Sequence, residues 1–127
     1  MKKLLLLILT LILSGCYLAN GSPSLSKFWL KNGKSFSMKE RDDCLAKADN
    51  VLGERFFYLR KKDNEDSDKF YETPEYQEFL VYLKKESRLM NKCFYDLGYR
   101  FQAPLYWCLA QDGDNTKICI ENMKYRN

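Results

Sequence analysis

The chain has 127 residues, 46% hydrophobic and 15% aromatic, with 21 Lys and Arg against 17 Asp and Glu, five Cys and no His. That length and apolar content suit one small core and exclude a second domain or a disordered chain, and a net charge of +4 is too small to argue for nucleic acid. The missing His removes the usual acid-base triads and the commonest metal ligand, so neither a hydrolase of ordinary design nor a cofactor is expected.

Met1-Lys2-Lys3 opens the chain with positive charge, and the apolar run Leu4 to Leu13 (LLLLILTLIL) ends at Ser14-Gly15-Cys16. A bilayer-spanning helix needs about 20 apolar residues, so this run is too short to cross and reads as a signal peptide over residues 1–15. Leu13-Ser14-Gly15-Cys16 resembles the lipobox of bacterial lipoproteins. The resemblance implies a diacylglyceryl group on the Cys16 sulfur and cleavage just before it. It also implies anchoring by three acyl chains, practically permanent where a single chain binds only marginally. Tyr17 stands where the inner-membrane retention signal of enteric bacteria has Asp, so the implied place is the cell envelope, the outer membrane over the inner, with the domain in the periplasm. The alternative is an ordinary signal peptide with a Cys beside the cut.

Residues 17–27 (YLANGSPSLSK) mix Gly, Pro, Ser and Asn without apolar period; with Cys16 they read as a lipidated, flexible tether over 16–27. Phe28 to Gly33 is a short apolar patch closed by a turn, with Trp29 facing the core. Ser37-Met38-Lys39-Glu40 matches the S-x-x-E capping box, and Cys44, Leu45, Ala48, Val51, Leu52, Phe56 and Leu59 then recur at steps of three and four. The spacing predicts an amphipathic helix over about 38–61, weakened at Gly53. Residues 62–72 are acidic, but the sixth and twelfth positions of a calcium loop are wrong, so they read as a solvated connection. Thr73-Pro74-Glu75 starts a second helix, with Thr as N-cap and Pro at the first position, and its stripe runs to Gly98, a good left-handed cap. Pro104–Gln111 and Thr116–Tyr125 flank the turn at residues 112–115. They read as two short helices with Asn115 as N-cap; a β-hairpin turning at Gly113-Asp114, which would set Cys108 opposite Cys119, is the alternative.

With Cys16 assigned to lipid, four thiols remain in an exported chain, and four thiols allow three pairings. In an antiparallel helical hairpin, Cys44 lies about 17 residues before the first helix ends and Cys93 about 19 after the second begins, a mismatch of roughly 3 Å in axial height. This geometry pairs Cys44 with Cys93 and leaves Cys108 with Cys119. An internal echo supports the same pairing: Cys44-Leu45-Ala46 matches Cys108-Leu109-Ala110, and the segments Cys93 to Arg100 and Cys119 to Arg126 share an apolar-then-Tyr-Arg pattern. It also favours helices in the tail. A zinc site is not expected, because no C-x-x-C pair is present and the compartment is oxidising.

The expected fold is mainly α: residues 28–127 form one small helical domain, an antiparallel two-helix hairpin plus a shorter C-terminal helical (alternatively β) hairpin, with two disulfides. Trp29, Lys31, Gly33, Cys44, Cys93, Phe94, Gly98 and Tyr99 resemble a loose group of small bacterial lipoproteins that carry W-x-K-x-G and C-[MF]-x-x-x-G-Y elements. That group has no settled activity, and the second Cys pair departs from it. The functional expectation is a non-enzymatic envelope interaction or structural protein, held to the membrane by its lipid and docking an envelope protein. Tyr58, Tyr71, Tyr82, Tyr95 and Tyr106 are candidates for an aromatic partner surface; the bland alternative is that they complete the core. Pilotin-like, exclusion and inhibitor roles are variants of the same class. A cell-wall hydrolase using Glu72 and Glu75 is disfavoured, because the pair flanks a helix start instead of facing across a cleft.

Overall fold

The computed structural model describes residues 24–110 and 114–127; the expected signal peptide, Cys16 and most of the expected tether lie outside the described residues. The last part of that tether belongs to the domain, because Leu25–Phe28 forms a 3-10 turn in which Phe28 is buried. Leu25 packs on the same core as Phe28, which gives the segment a reason to be ordered.

Asn32 (φ 51°) and Gly33 (φ 74°) are two consecutive left-handed residues. That is the backbone of a tight hairpin turn, and it joins β1 (Trp29–Lys31) to β2 (Lys34–Ser35). β3 (Arg100–Phe101) pairs with the other edge of β1, giving antiparallel order β2-β1-β3 with Trp29 opposite Phe101. No strand was expected here. Segments of two and three residues are too short to display alternation, and the third strand is distant in sequence.

The long helix α1 spans Met38–Glu65, and both halves of its capping box form: Glu40 N–H donates to Ser37 Oγ at 3.2 Å, while Ser37 N–H donates to the Glu40 carboxylate at 2.8 Å. Gly53 does more than weaken it. Its φ of 76° and ψ of −171° are non-helical, a region essentially reserved for glycine, so α1 bends there into two segments. Val51, expected on the inner stripe, is left exposed just before the break, while Phe56 and Leu59 are fully buried after it.

The expected solvated connection is largely helical: α1 continues to Glu65, and α2 (Ser67–Tyr71) follows, with Asp66 accepting from the Lys69 N–H as its cap. Burial of Phe70 gives this segment the apolar contact that acidic composition had hidden. α3 spans Pro74–Asp96 and packs along α1. Thr73 precedes it without capping it, because its hydroxyl donates backwards to Phe70 O at 2.7 Å. α3 closes at Leu97 and a left-handed Gly98 (φ 94°), as expected. There Lys31 Nζ donates to Leu97 O at 2.8 Å, and a Cβ on residue 98 would meet Lys31 Cε at 3.3 Å. Tyr99, next in the chain, is buried and donates to Glu40. The W-x-K-x-G and G-Y elements therefore meet in space.

The tail is helical and not a β-hairpin: α4 spans Leu105–Cys108, α5 spans Asn115–Asn122, and a 3-10 turn, Met123–Tyr125, follows. Asn115 is inside α5 and not its cap; its side-chain amide donates to Trp107 O at 3.1 Å, tying the two short helices together. Both disulfides form as the sequence pairs them, Cys44–Cys93 and Cys108–Cys119, each with Cα atoms 5.8 Å apart. Two cores result. One gathers Phe28, Trp29, Phe94, Phe101 and Trp107 around the disulfides and the sheet; the other gathers Phe56, Leu59, Phe70 and Phe79 at the far end of the hairpin.

Candidate binding cleft

β1 delivers Trp29, the segment after β2 delivers Phe36, and two turns of α3 deliver Met90, Asn91 and Phe94. Together with Leu45 these side chains wall a cleft of about 290 Å³ between the 3-10 turn, the start of α1 and the end of α3, near the lower size limit of small-ligand sites. Phe36 stacks on Phe94 at 4.1 Å between ring centres, and Trp29 tilts against the same ring at 5.7 Å, so the aromatic wall is rigid.

Two polar groups in this wall have no hydrogen-bond partner among the described residues. Asn91 is one, 8% exposed. Trp29 Nε1 is the other, buried without a partner among them, a state that costs about 1–3 kcal/mol for a neutral donor. Asn91 sits one turn before Phe94, where an apolar side chain would complete the stripe of α3.

The charged groups at the cleft are already engaged. Glu86 is gripped by Arg60, whose guanidinium also holds Asp49 at 3.1 Å; Asp49 and Arg60 lie on opposite sides of the Gly53 bend, which Arg60 therefore staples to α3. Arg41 lies 3.6 Å from Asp42. The Glu86 carboxylate in the lining is thus committed to an ion pair.

The tyrosines considered for a partner surface do not converge. Tyr58 and Tyr71 are exposed beside the far core, Tyr58 under the Arg55 and Lys62 cations and Tyr71 against Tyr76. Tyr82 is half-buried and stacked on Phe56, and Tyr95 is half-buried between Tyr125 and Arg100, so both are spent on packing. Tyr106 is 65% exposed on α4. Glu72 is exposed, while Glu75 binds Lys62 and Arg55. Lys62 first, then Arg55, holds the Glu75 carboxyl below its ordinary range, and Arg55 does the same for Glu78.

Sequence reasoning missed the cleft. Its walls come from three separated stretches, and the one available signal was a polar Asn91 on an apolar stripe. Among the described residues no cluster of His, Cys, Asp and Glu could hold a metal, and no helix is long and apolar enough to cross a membrane. The four thiols weighed for zinc are consumed in the disulfides. No known family model, curated protein or solved structure matches this chain.

Proposed function

We propose that the chain is a lipid-anchored envelope protein that binds another envelope component without chemistry, through the cleft beside Trp29. The observation that carries this reading is Asn91: a carboxamide 8% exposed in the lining of an aromatic cleft, with no hydrogen-bond partner among the described residues, leaves its donors and acceptor open to an occupant of the cleft. The lipobox resemblance supplies the anchor. Residues 17–23 span at most roughly 25–30 Å between the acylated sulfur and Ser24, so the cleft works close to the bilayer.

Both halves are open to test. Labelled palmitate is expected in the wild-type protein and not in Cys16→Ala; equal labelling would remove the anchor. A photo-crosslinker at Ser87, on the rim of the cleft, is expected to trap a discrete envelope partner in living cells, while the same group at Lys61 on the far end traps none. Identical patterns from the two positions would remove the docking site.

A further inference from the structure

We propose that the occupant of the cleft is an uncharged, extended peptide segment, with one apolar side chain among Trp29, Phe36 and Met90 and its backbone amide against Asn91. This deepens the docking reading and rests on it. An asparagine side chain offers two N–H donors and a carbonyl acceptor, and at Asn91 none has a partner among the described residues. A backbone amide carries a donor and an acceptor side by side, and so answers both sides of the carboxamide at once. A carboxylate, ester or alkyl chain answers one side or neither.

The charged groups at the mouth already have partners within the fold: Arg60 binds both Glu86 and Asp49, and Arg41 has Asp42 beside it. Aromatic rings and a thioether accept an aliphatic or aromatic side chain with little demand on its shape. The volume, about that of ten water molecules, holds one such side chain with its flanking amides.

The test uses the whole chain from residue 16 with Cys16→Ser and both disulfides formed, labelled with nitrogen-15. The probe is N-acetylleucine methylamide; its comparators are the methyl ester, the free acid and the glycine methylamide. The expected result is saturable shifts of the Trp29 indole N–H and the Asn91 side-chain amide with the leucine amide. Binding should be about tenfold weaker for the ester and for the glycine analogue, and similarly weakened by Asn91→Leu in a protein whose circular dichroism is unchanged. Should Asn91→Leu fail to fold, the order of the four probes on the wild-type protein decides alone. Tighter binding of the free acid, equal binding of ester and amide, or shifts that never saturate would overturn the peptide assignment. So would binding that appears only after residues 17–23 are deleted, which would give the cleft to the chain's own leader. A concentration-dependent dimer that perturbs the same signals would give it to a second copy. If the Ser87 crosslink persists while the amide fails, the docking reading survives and this assignment does not.

Discussion

The two ends of the helical hairpin are held by different forces. Around Trp29, two disulfides, a three-stranded sheet and stacked rings fix the start of α1, the end of α3 and the tail into one body. Beyond Gly53 there is no covalent tie among the described residues; Phe56, Leu59, Phe70 and Phe79 pack under a lattice of ion pairs running from Arg55 and Lys62 to Glu75 and Glu78. The contrast shows how a small domain can concentrate its covalent ties and sheet around one cleft and leave the rest to ordinary helix packing.

Breaking the first end should cost most. Replacing Cys44 and Cys93 with Ser removes a tie of sequence separation 49, and the chain-entropy model expects a loss of about 4 kcal/mol. The same change at Cys108 and Cys119, separation 11, should cost about 3 kcal/mol; urea melts of the two double variants give the comparison, and a larger loss from the shorter tie would reverse the ranking. Next comes the staple between the ends. Arg60→Met leaves Asp49 and Glu86 facing each other half-buried, and a loss of about 2 kcal/mol is expected in the same melts, shrinking if Glu86→Gln is added. Gly53→Ala should cost about 1–2 kcal/mol in thermal melts, entirely through backbone strain, because a Cβ there meets no atom within 4 Å. A gain in stability and helicity would mean that the bend is not required.

The smallest effect is the dependence on pH. Glu40, through its hydrogen bonds with Ser37, and Glu75 and Glu78, through Lys62 and Arg55, all have carboxyls lowered from the ordinary 4.5. A lowered carboxyl stabilises the fold at pH above its unfolded value, so stability should hold above about 4.5 and decline as pH falls through the depressed values. Tyr99 is raised above 10.0 by burial and by the Glu40 carboxylate; its contribution is complete below pH 10 and is lost as pH rises further. Urea melts from pH 2 to 6 on Glu40→Gln and Glu78→Gln should each show a flatter acid limb than the wild type; an unchanged limb in either would remove that carboxylate from the account.

Much of this frame was legible because its signals are local. Ser37 and Glu40 cap within one turn, Gly98 terminates where a left-handed residue is needed, and the height match of Cys44 and Cys93 follows from helix rise alone. What escaped depends on partners far away in sequence. Asn32-Gly33 carries a hairpin turn signal, but its strands are too short to show alternation and β3 arrives only after α3. Phe70 lay hidden among acidic residues because nothing local says it has a core to enter. Asn91 is a single polar residue on the stripe of α3, and nothing local marks that it lines a cleft with Trp29 and Phe36.

The bond between Cys44 and Cys93 also decides where mechanical load can travel. A pull entering through Ser24, on the side of the bilayer anchor proposed above, and leaving through the C-terminus runs along the covalent path 24–44, crosses to Cys93, follows 93–108, crosses again to Cys119 and continues along 119–127. Residues 45–92, with the whole far core, hang off that path as an unloaded loop. Stretched from its two ends in an optical trap, the oxidised protein should extend without unfolding its hairpin tip, and the reduced protein should gain the contour length of that loop together with the shorter one closed by Cys108 and Cys119.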